Sequence, residues 1–122
     1  MLDPPPSSPL RYVVLRHEDV PEPHFDLMFE SESGGDLATW RSPVWPLQDQ
    51  TKLVHLGEHR RAYLEFEGPI SGGRGQVRRV AAGNFRWVMK GRLLTIIQLL
   101  APQSTWLIGS EPTGDGAVAV RA

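Results

Sequence analysis

Residues 17 to 26 read His-Glu-Asp-Val-Pro-Glu-Pro-His-Phe-Asp, and they hold three good metal ligands, His17, His24 and Asp26, within ten positions. His24 and Asp26 are two apart. On an extended strand both side chains leave the same face, while Phe25 and Leu27 take the other. Pro21 and Pro23 stiffen the loop that returns the chain from His17 to His24. Two imidazoles and one carboxylate on one side form a usable shell for a divalent cation that keeps open positions. The alternative use of the same residues is a half-buried strand after a polar loop, with histidines that satisfy local hydrogen bonds.

A second group of reactive side chains lies in Leu53-Val54-His55-Leu56-Gly57-Glu58-His59-Arg60-Arg61-Ala62-Tyr63. His59 and Tyr63 could offer an imidazole and a phenol to one anion if the chain turns between them. On a straight strand they would stand about 13 Å apart. The net charge of −1 hides an asymmetry: residues 1 to 50 hold nine acidic and three basic side chains, whereas residues 60 to 92 hold eight basic ones against Glu65 and Glu67. An acidic half suited to a cation and a basic half suited to an anion fit a metal-assisted site for a phosphorylated ligand. The glycine-rich stretch 68 to 75 lacks a following Lys-Ser or Lys-Thr and is no nucleotide-binding P-loop.

The elements that position these residues read as strands. Arg11–Arg16, His24–Glu30, Leu37–Trp40, Lys52–Leu56, Tyr63–Glu67, Gln76–Val80, Phe85–Met89, Leu93–Leu100 and Thr105–Gly109 carry β-branched, aromatic or alternating patterns. Turn signals separate them, among them Ala82-Gly83-Asn84, and Leu64 and Phe66 are expected to face inward. No segment holds a helical period over three turns. The expectation is an all-β fold, a small single-domain β-barrel with short connections and six to nine strands, over residues 11 to 122. Residues 1 to 10 read as a disordered or extended Pro-rich tail. The 122 residues, 40% hydrophobic and 22% charged, suit one globular domain. With no cysteine, disulfides, thiolate metal sites and cysteine nucleophiles are excluded. No apolar run could span a membrane as a helix, and the N-terminus lacks the basic and apolar regions of a secretory signal, so a cytoplasmic protein is expected. Trp40, Trp45, Trp87 and Trp106 read as core or core-rim residues.

In order and spacing, these segments resemble the 3′-phosphoesterase domain of bacterial DNA ligase D and its stand-alone relatives. The family opens on a strand ending in His, a short loop and His-Tyr-Asp-Phe-Arg; Tyr12 to Phe29 reads YVVLRHEDVPEPHFDLMF. Its Trp-Ala-Val-Pro-Lys-Gly-Pro is matched by residues 40 to 46, WRSPVWP. Its Val-His-Val-Glu-Asp-His-Pro-x-x-Tyr is matched by residues 54 to 63, and its Phe-Glu-Gly with a glycine-rich sequel by residues 66 to 73. The resemblance spans roughly residues 11 to 110, and all four histidines find counterparts.

The resemblance implies a manganese-dependent site, other divalent cations being possible, held by His17, His24 and Asp26. It implies that His59 and Tyr63 contact the phosphate and take part in catalysis, His59 as a general acid. The implied substrates are DNA or DNA/RNA 3′ ends, trimmed of a 3′-phosphate or 3′-ribonucleotide in DNA end repair, with a separate DNA ligase or polymerase as a partner. This chain departs from the pattern in three places. Its loop between the first two histidines has six residues instead of five, Met28 stands where the family has Arg, and Val44 where it has Lys. The metal half is intact and the phosphate half thinned, with Arg41, Lys52, Arg60 and Arg61 as candidate replacement cations and Met28→Arg expected to raise the rate. Two other readings follow: a catalytically degenerate barrel that binds metal or nucleic acid, and a 2-His-1-carboxylate iron oxygenase using His24, Asp26 and either His55 or His59.

Overall fold

The computed structural model describes residues 9 to 122; most of the expected tail, residues 1 to 8, lies outside the described residues. The alternating stretches form β1 (Leu10–Glu18), β2 (His24–Phe29), β3 (Leu37–Ser42), β4 (Thr51–His59), β5 (Gly68–Pro69), β6 (Gln76–Lys90), β7 (Leu94–Leu100), β8 (Gln103–Ser110) and β9 (Gly116–Arg121). All neighbours pair antiparallel in the order β1-β2-β3-β4-β9-β8-β7-β6, and β6 returns to β1, so eight strands close into a barrel. The short β5 pairs only with the outside end of β6. Closure leaves no long edge open to another chain. No helix among the described residues is long and apolar enough to cross a membrane.

Inward positions alternate as the strand period requires. Phe29 and Phe85 are fully buried at the centre, 5.0 Å apart between ring centroids and edge to face. Tyr12, Val14, Leu27, Trp40, Ile97, Trp106 and Ile108 complete the interior. Trp45 and Trp87 pack on its rim. A second, smaller cluster lies outside the barrel wall: Val13, Leu15, Met28 and Leu37 are covered by Leu64 and Val77. β1 and β2 are therefore buried on both faces in their middle, which is why Val13, Val14 and Leu15 run together without polar interruption.

Three expectations are corrected. Tyr63–Glu67 is not a strand: a turn of 3₁₀ helix, Arg61–Leu64, stands there, with Leu64 buried and Phe66 38% exposed. β4 pairs with β3 on one side and β9 on the other, so no slot in the sheet remains and the chain crosses outside the wall. Ala82-Gly83-Asn84 is not a turn, because β6 runs through it for 15 residues, pairing with β1 first and β7 later. Gly83 serves close packing instead: a Cβ there would sit 3.1 Å from the Tyr12 ring. β9 was not anticipated, since its inward residues are only Ala117 and Ala119.

Glu30 ends this wall as a buried carboxylate. It accepts the Arg11 backbone N–H at 2.8 Å and pairs with Arg61. Burial alone would push its carboxyl up, but the Arg11 hydrogen bond and the Arg61 and Arg11 charges outweigh that and hold it below the usual carboxylate range. Glu30→Gln is expected to destabilise the fold by about 2 kcal/mol at neutral pH. A lowered folded-state value stabilises above the ordinary carboxylate value and loses that stability as pH falls through the folded value. The gap in urea midpoint between wild type and Glu30→Gln therefore closes in acid; a gap that stays constant to low pH refutes the assignment.

Candidate metal centre

Strand register builds the site. His17 lies directly opposite His24 across the β1–β2 hairpin, and Leu15 lies opposite Asp26. His17, His24 and Asp26 thus share the outer face of the barrel wall, and their ligand atoms lie within 4.8 Å of one another. In the six-residue loop between the two histidines, Asp19 takes a positive φ of 57°. The two imidazoles meet edge to face at 4.9 Å.

Each histidine is oriented by a backbone carbonyl. His24 Nδ1 lies 2.9 Å from the Glu22 carbonyl oxygen, and His17 Nε2 lies 2.7 Å from that of Arg74. A carbonyl can only accept, so in the neutral rings these nitrogens carry the protons. The lone pairs then fall on His24 Nε2 and His17 Nδ1. This is the outer-shell arrangement that fixes the tautomer of metal-binding histidines. His24 Nε2 and Asp26 Oδ1 are buried, 3.5 Å apart, and neither has a hydrogen-bond partner. Buried polar atoms left unpartnered cost about 1–3 kcal/mol each, so a side-by-side acceptor pair fits a cation.

The Arg74 carbonyl reaches His17 because of the glycine-rich loop. Ile70 N–H donates to the Gly75 carbonyl at 2.8 Å, and the Arg74 guanidinium bonds back to Ser71. Gly75, at φ +79°, packs so tightly under the β1–β2 loop that a Cβ would overlap the Glu18 carbonyl oxygen at 2.3 Å. Sequence reasoning treated residues 68 to 75 only as a connection; the one legible signal was glycine where a backbone must approach closely.

The remaining candidates divide into two groups. Arg41 lies opposite Asp26 on β3, its Nε 3.7 Å from Asp26 Oδ1, buried and without a hydrogen bond. Beside it opens a cleft of about 500 Å³ lined by residues 20 to 24, Arg41, Pro43, Lys52 and Val54. Arg41 therefore stands beside the metal ligands, and Lys52 shares the cleft with Arg41 and His24. The second group stands apart. His59 lies opposite Leu37, four residues along β3 from Arg41, or about 13 Å of strand. It meets Tyr63 edge to face at 6.1 Å, and Tyr63 lines a small hollow with Arg60, Phe66 and Arg74. Arg61 is committed to Glu30. His55 packs on Trp40 at 5.1 Å, at the barrel mouth. The histidine that joins His24 and Asp26 is thus His17, and neither His55 nor His59 completes the triad that the oxygenase reading requires.

Met28 fills the space between the two groups, 2% exposed among Val13, Leu15, Leu37, Leu64 and Val77. An arginine there would bury a charge in an apolar cluster. Met28→Arg is therefore expected to lower stability by about 3 kcal/mol or more, with no gain of rate, reversing the expectation from sequence. A variant as stable as wild type in urea would show that this cluster opens. Compared with known proteins, the chain matches no family model and no curated protein, so its functional reading rests on this geometry and on the residue pattern.

Proposed function

We propose that this protein is a metal-dependent phosphoesterase acting on nucleic-acid 3′ ends, removing a 3′-phosphate or 3′-ribonucleotide so that a separate ligase or polymerase can act. One observation carries the reading: three buried, unpartnered polar atoms, His24 Nε2, Asp26 Oδ1 and Arg41 Nε, converge beside a cleft that His24, Arg41 and Lys52 line. Acceptors for a cation lie directly beside donors for an anion. His17, His24 and Asp26 would hold the ion, manganese by the family resemblance, which when bound would supply charge neutralisation at phosphorus and an activated water.

The chain's own residues do the rest. The Glu22 and Arg74 carbonyls keep both imidazoles in the ligating tautomer. Asp26 holds Arg41 at the cleft wall, where its remaining N–H groups can bind non-bridging phosphoryl oxygens. Lys52 adds a second positive charge across the cleft. His59, Tyr63 and Arg60 suit the strand backbone a few nucleotides from the reacting end, at the distance the register gives them. In hydrolysis a water oxygen adds to phosphorus, the bond to the 3′ oxygen breaks, and that oxygen takes a proton from solvent.

A second reading is a barrel that binds 3′ ends without cleaving them. The burial of Met28 favours it, because no cation can stand where the family has Arg. One assay separates the two: a primer-template bearing a 3′-phosphate or a 3′-terminal ribonucleotide, incubated with Mn²⁺. The phosphoesterase reading expects a 3′-hydroxyl product that disappears on chelation. Binding of the end with no product under any divalent metal would establish the second reading instead.

A further inference from the structure

At the barrel mouth, strands β3 and β4 and the β6–β7 and β8–β9 turns surround a hollow of about 450 Å³. A bulge in β4 supplies two of its polar side chains. His55 lies opposite Trp40 and Glu58 opposite Ala38, with Gly57 at φ +78° where the register shifts. Ordinary alternation sends positions three apart to opposite faces, whereas the bulge brings both to the hollow. His55 packs on Trp40 at 5.1 Å with the planes 34° apart, and the two rings form an aromatic floor. Trp40 is 5% exposed, and its buried indole N–H has no acceptor among the described residues. A buried donor without a partner is costly, and a bound molecule can supply the acceptor.

Charges of both signs line the same hollow without closing on each other. Glu58, Glu111, Asp115 and Arg92 are exposed there, and none makes an ion pair among the described residues. Ser110 N–H donates to the Leu93 carbonyl at 2.8 Å and holds the turn of Glu111 beside that of Arg92. The Glu111 carboxylate folds back over its own turn: a Cβ on Gly116 would meet its Oε1 at 2.9 Å. Lys90 lies over the Trp87 ring, 4.7 Å from its centroid.

We propose that this hollow binds a guanine nucleoside. Its ligand must stack on an aromatic floor, give donors to a carboxylate and offer acceptors to a guanidinium and an indole N–H. Guanine has that combination. N1–H and the N2 amino group form a donor pair matched to the Glu111 carboxylate, and the adjoining O6 and N7 form an acceptor pair matched to Arg92. N3 remains as an acceptor for the Trp40 N–H. Adenine places an amino donor where guanine has O6, so it meets Arg92 with the wrong polarity. A phosphate gains little here, because the three carboxylates outnumber Lys90 and Arg92, and the nucleoside is favoured over its nucleotides. The volume lies within the range of about 300–1,000 Å³ usual for small-molecule sites. The proposal is independent of the metal centre: Ala38, on the hollow, lies opposite Phe29, at the far end of β2 from His24.

Guanosine titrated into the full chain, followed by NMR of the indole N–H resonances, tests it. The assigned Trp40 indole signal is expected to shift and saturate, with a Kd on the order of 100 µM. Adenosine is expected to bind about tenfold or more weakly. Glu111→Gln and Arg92→Ala each remove one partner at an exposed position. Each is expected to weaken guanosine about tenfold while the circular dichroism and Mn²⁺ affinity stay unchanged. A Trp40 signal that does not move at millimolar guanosine overturns the site. Equal affinity for adenosine, or guanosine binding indifferent to either substitution, overturns the assignment of its ligand.

Discussion

Mn²⁺ titrated into His24→Ala protein is expected to show no tight site, with affinity down about a hundredfold or more, equivalent to roughly 2.7 kcal/mol. His24 is the central donor. Its Nε2 is buried beside Asp26 Oδ1, and its Nδ1–H is held by the Glu22 carbonyl, so its geometry is fixed before any ion arrives. Loss of an outer-shell partner alone typically costs ten- to a hundredfold, and a ligand should cost more. What remains, His17 and Asp26, come from different strands and offer two donors, too few for selective binding of a hard ion among waters. His24 stands at the first position of β2, outside both apolar clusters, so the variant should keep its β-sheet circular dichroism. Unchanged affinity in the variant, or anomalous scattering from manganese at some other cluster, would sink the assignment.

How much of this was legible depends on whether the signal was local. The strand alternation placed His24 and Asp26 on one face from sequence alone, and the two prolines marked the loop that returns the chain to His17. The cross-strand pairing that puts the two imidazoles 4.9 Å apart needed only a hairpin of the right register. The outer supports were not legible. The carbonyl that orients His17 belongs to Arg74, 57 positions away, and any residue could have supplied it. Gly75 read as part of a loop and Gly83 as part of a turn, whereas each is small because another group already occupies the space its side chain would take. β9 escaped notice because alanine faces the core where a larger apolar residue would have announced a strand. Tyr63–Glu67 misled for the opposite reason: its alternation is real, but closure of the barrel left it no strand partner, and of its apolar residues only Leu64 is fully buried. The separation of His59 from Asp26 likewise follows from register, which motif order along the chain does not encode.

Arg41→Ala should then split activity from metal binding. In the proposed reaction Arg41 is the cation nearest the phosphoryl group, its Nε 3.7 Å from the same Asp26 oxygen that faces His24. Deleting one preorganised donor to a developing anionic charge costs about 3–4 kcal/mol, which lowers kcat/KM by a hundred- to a thousandfold. The metal shell loses nothing. A positive charge beside a ligating carboxylate opposes cation binding, so Mn²⁺ affinity in Arg41→Ala should hold or rise. Arg41→Lys restores charge but not the planar fork that meets two phosphoryl oxygens at once, and its rate should fall between the two. Lys52→Ala, farther along the cleft, should raise KM more than it lowers kcat, because a point charge that attracts the bound end acts before the transition state. This pattern distinguishes the cleft from the His59–Tyr63 hollow as the seat of the reacting phosphate. If Arg41→Ala retains full rate while His59→Ala and Tyr63→Phe abolish it, the phosphoryl group sits on the far side of Met28, and the strip between His59 and Asp26 must open to admit it.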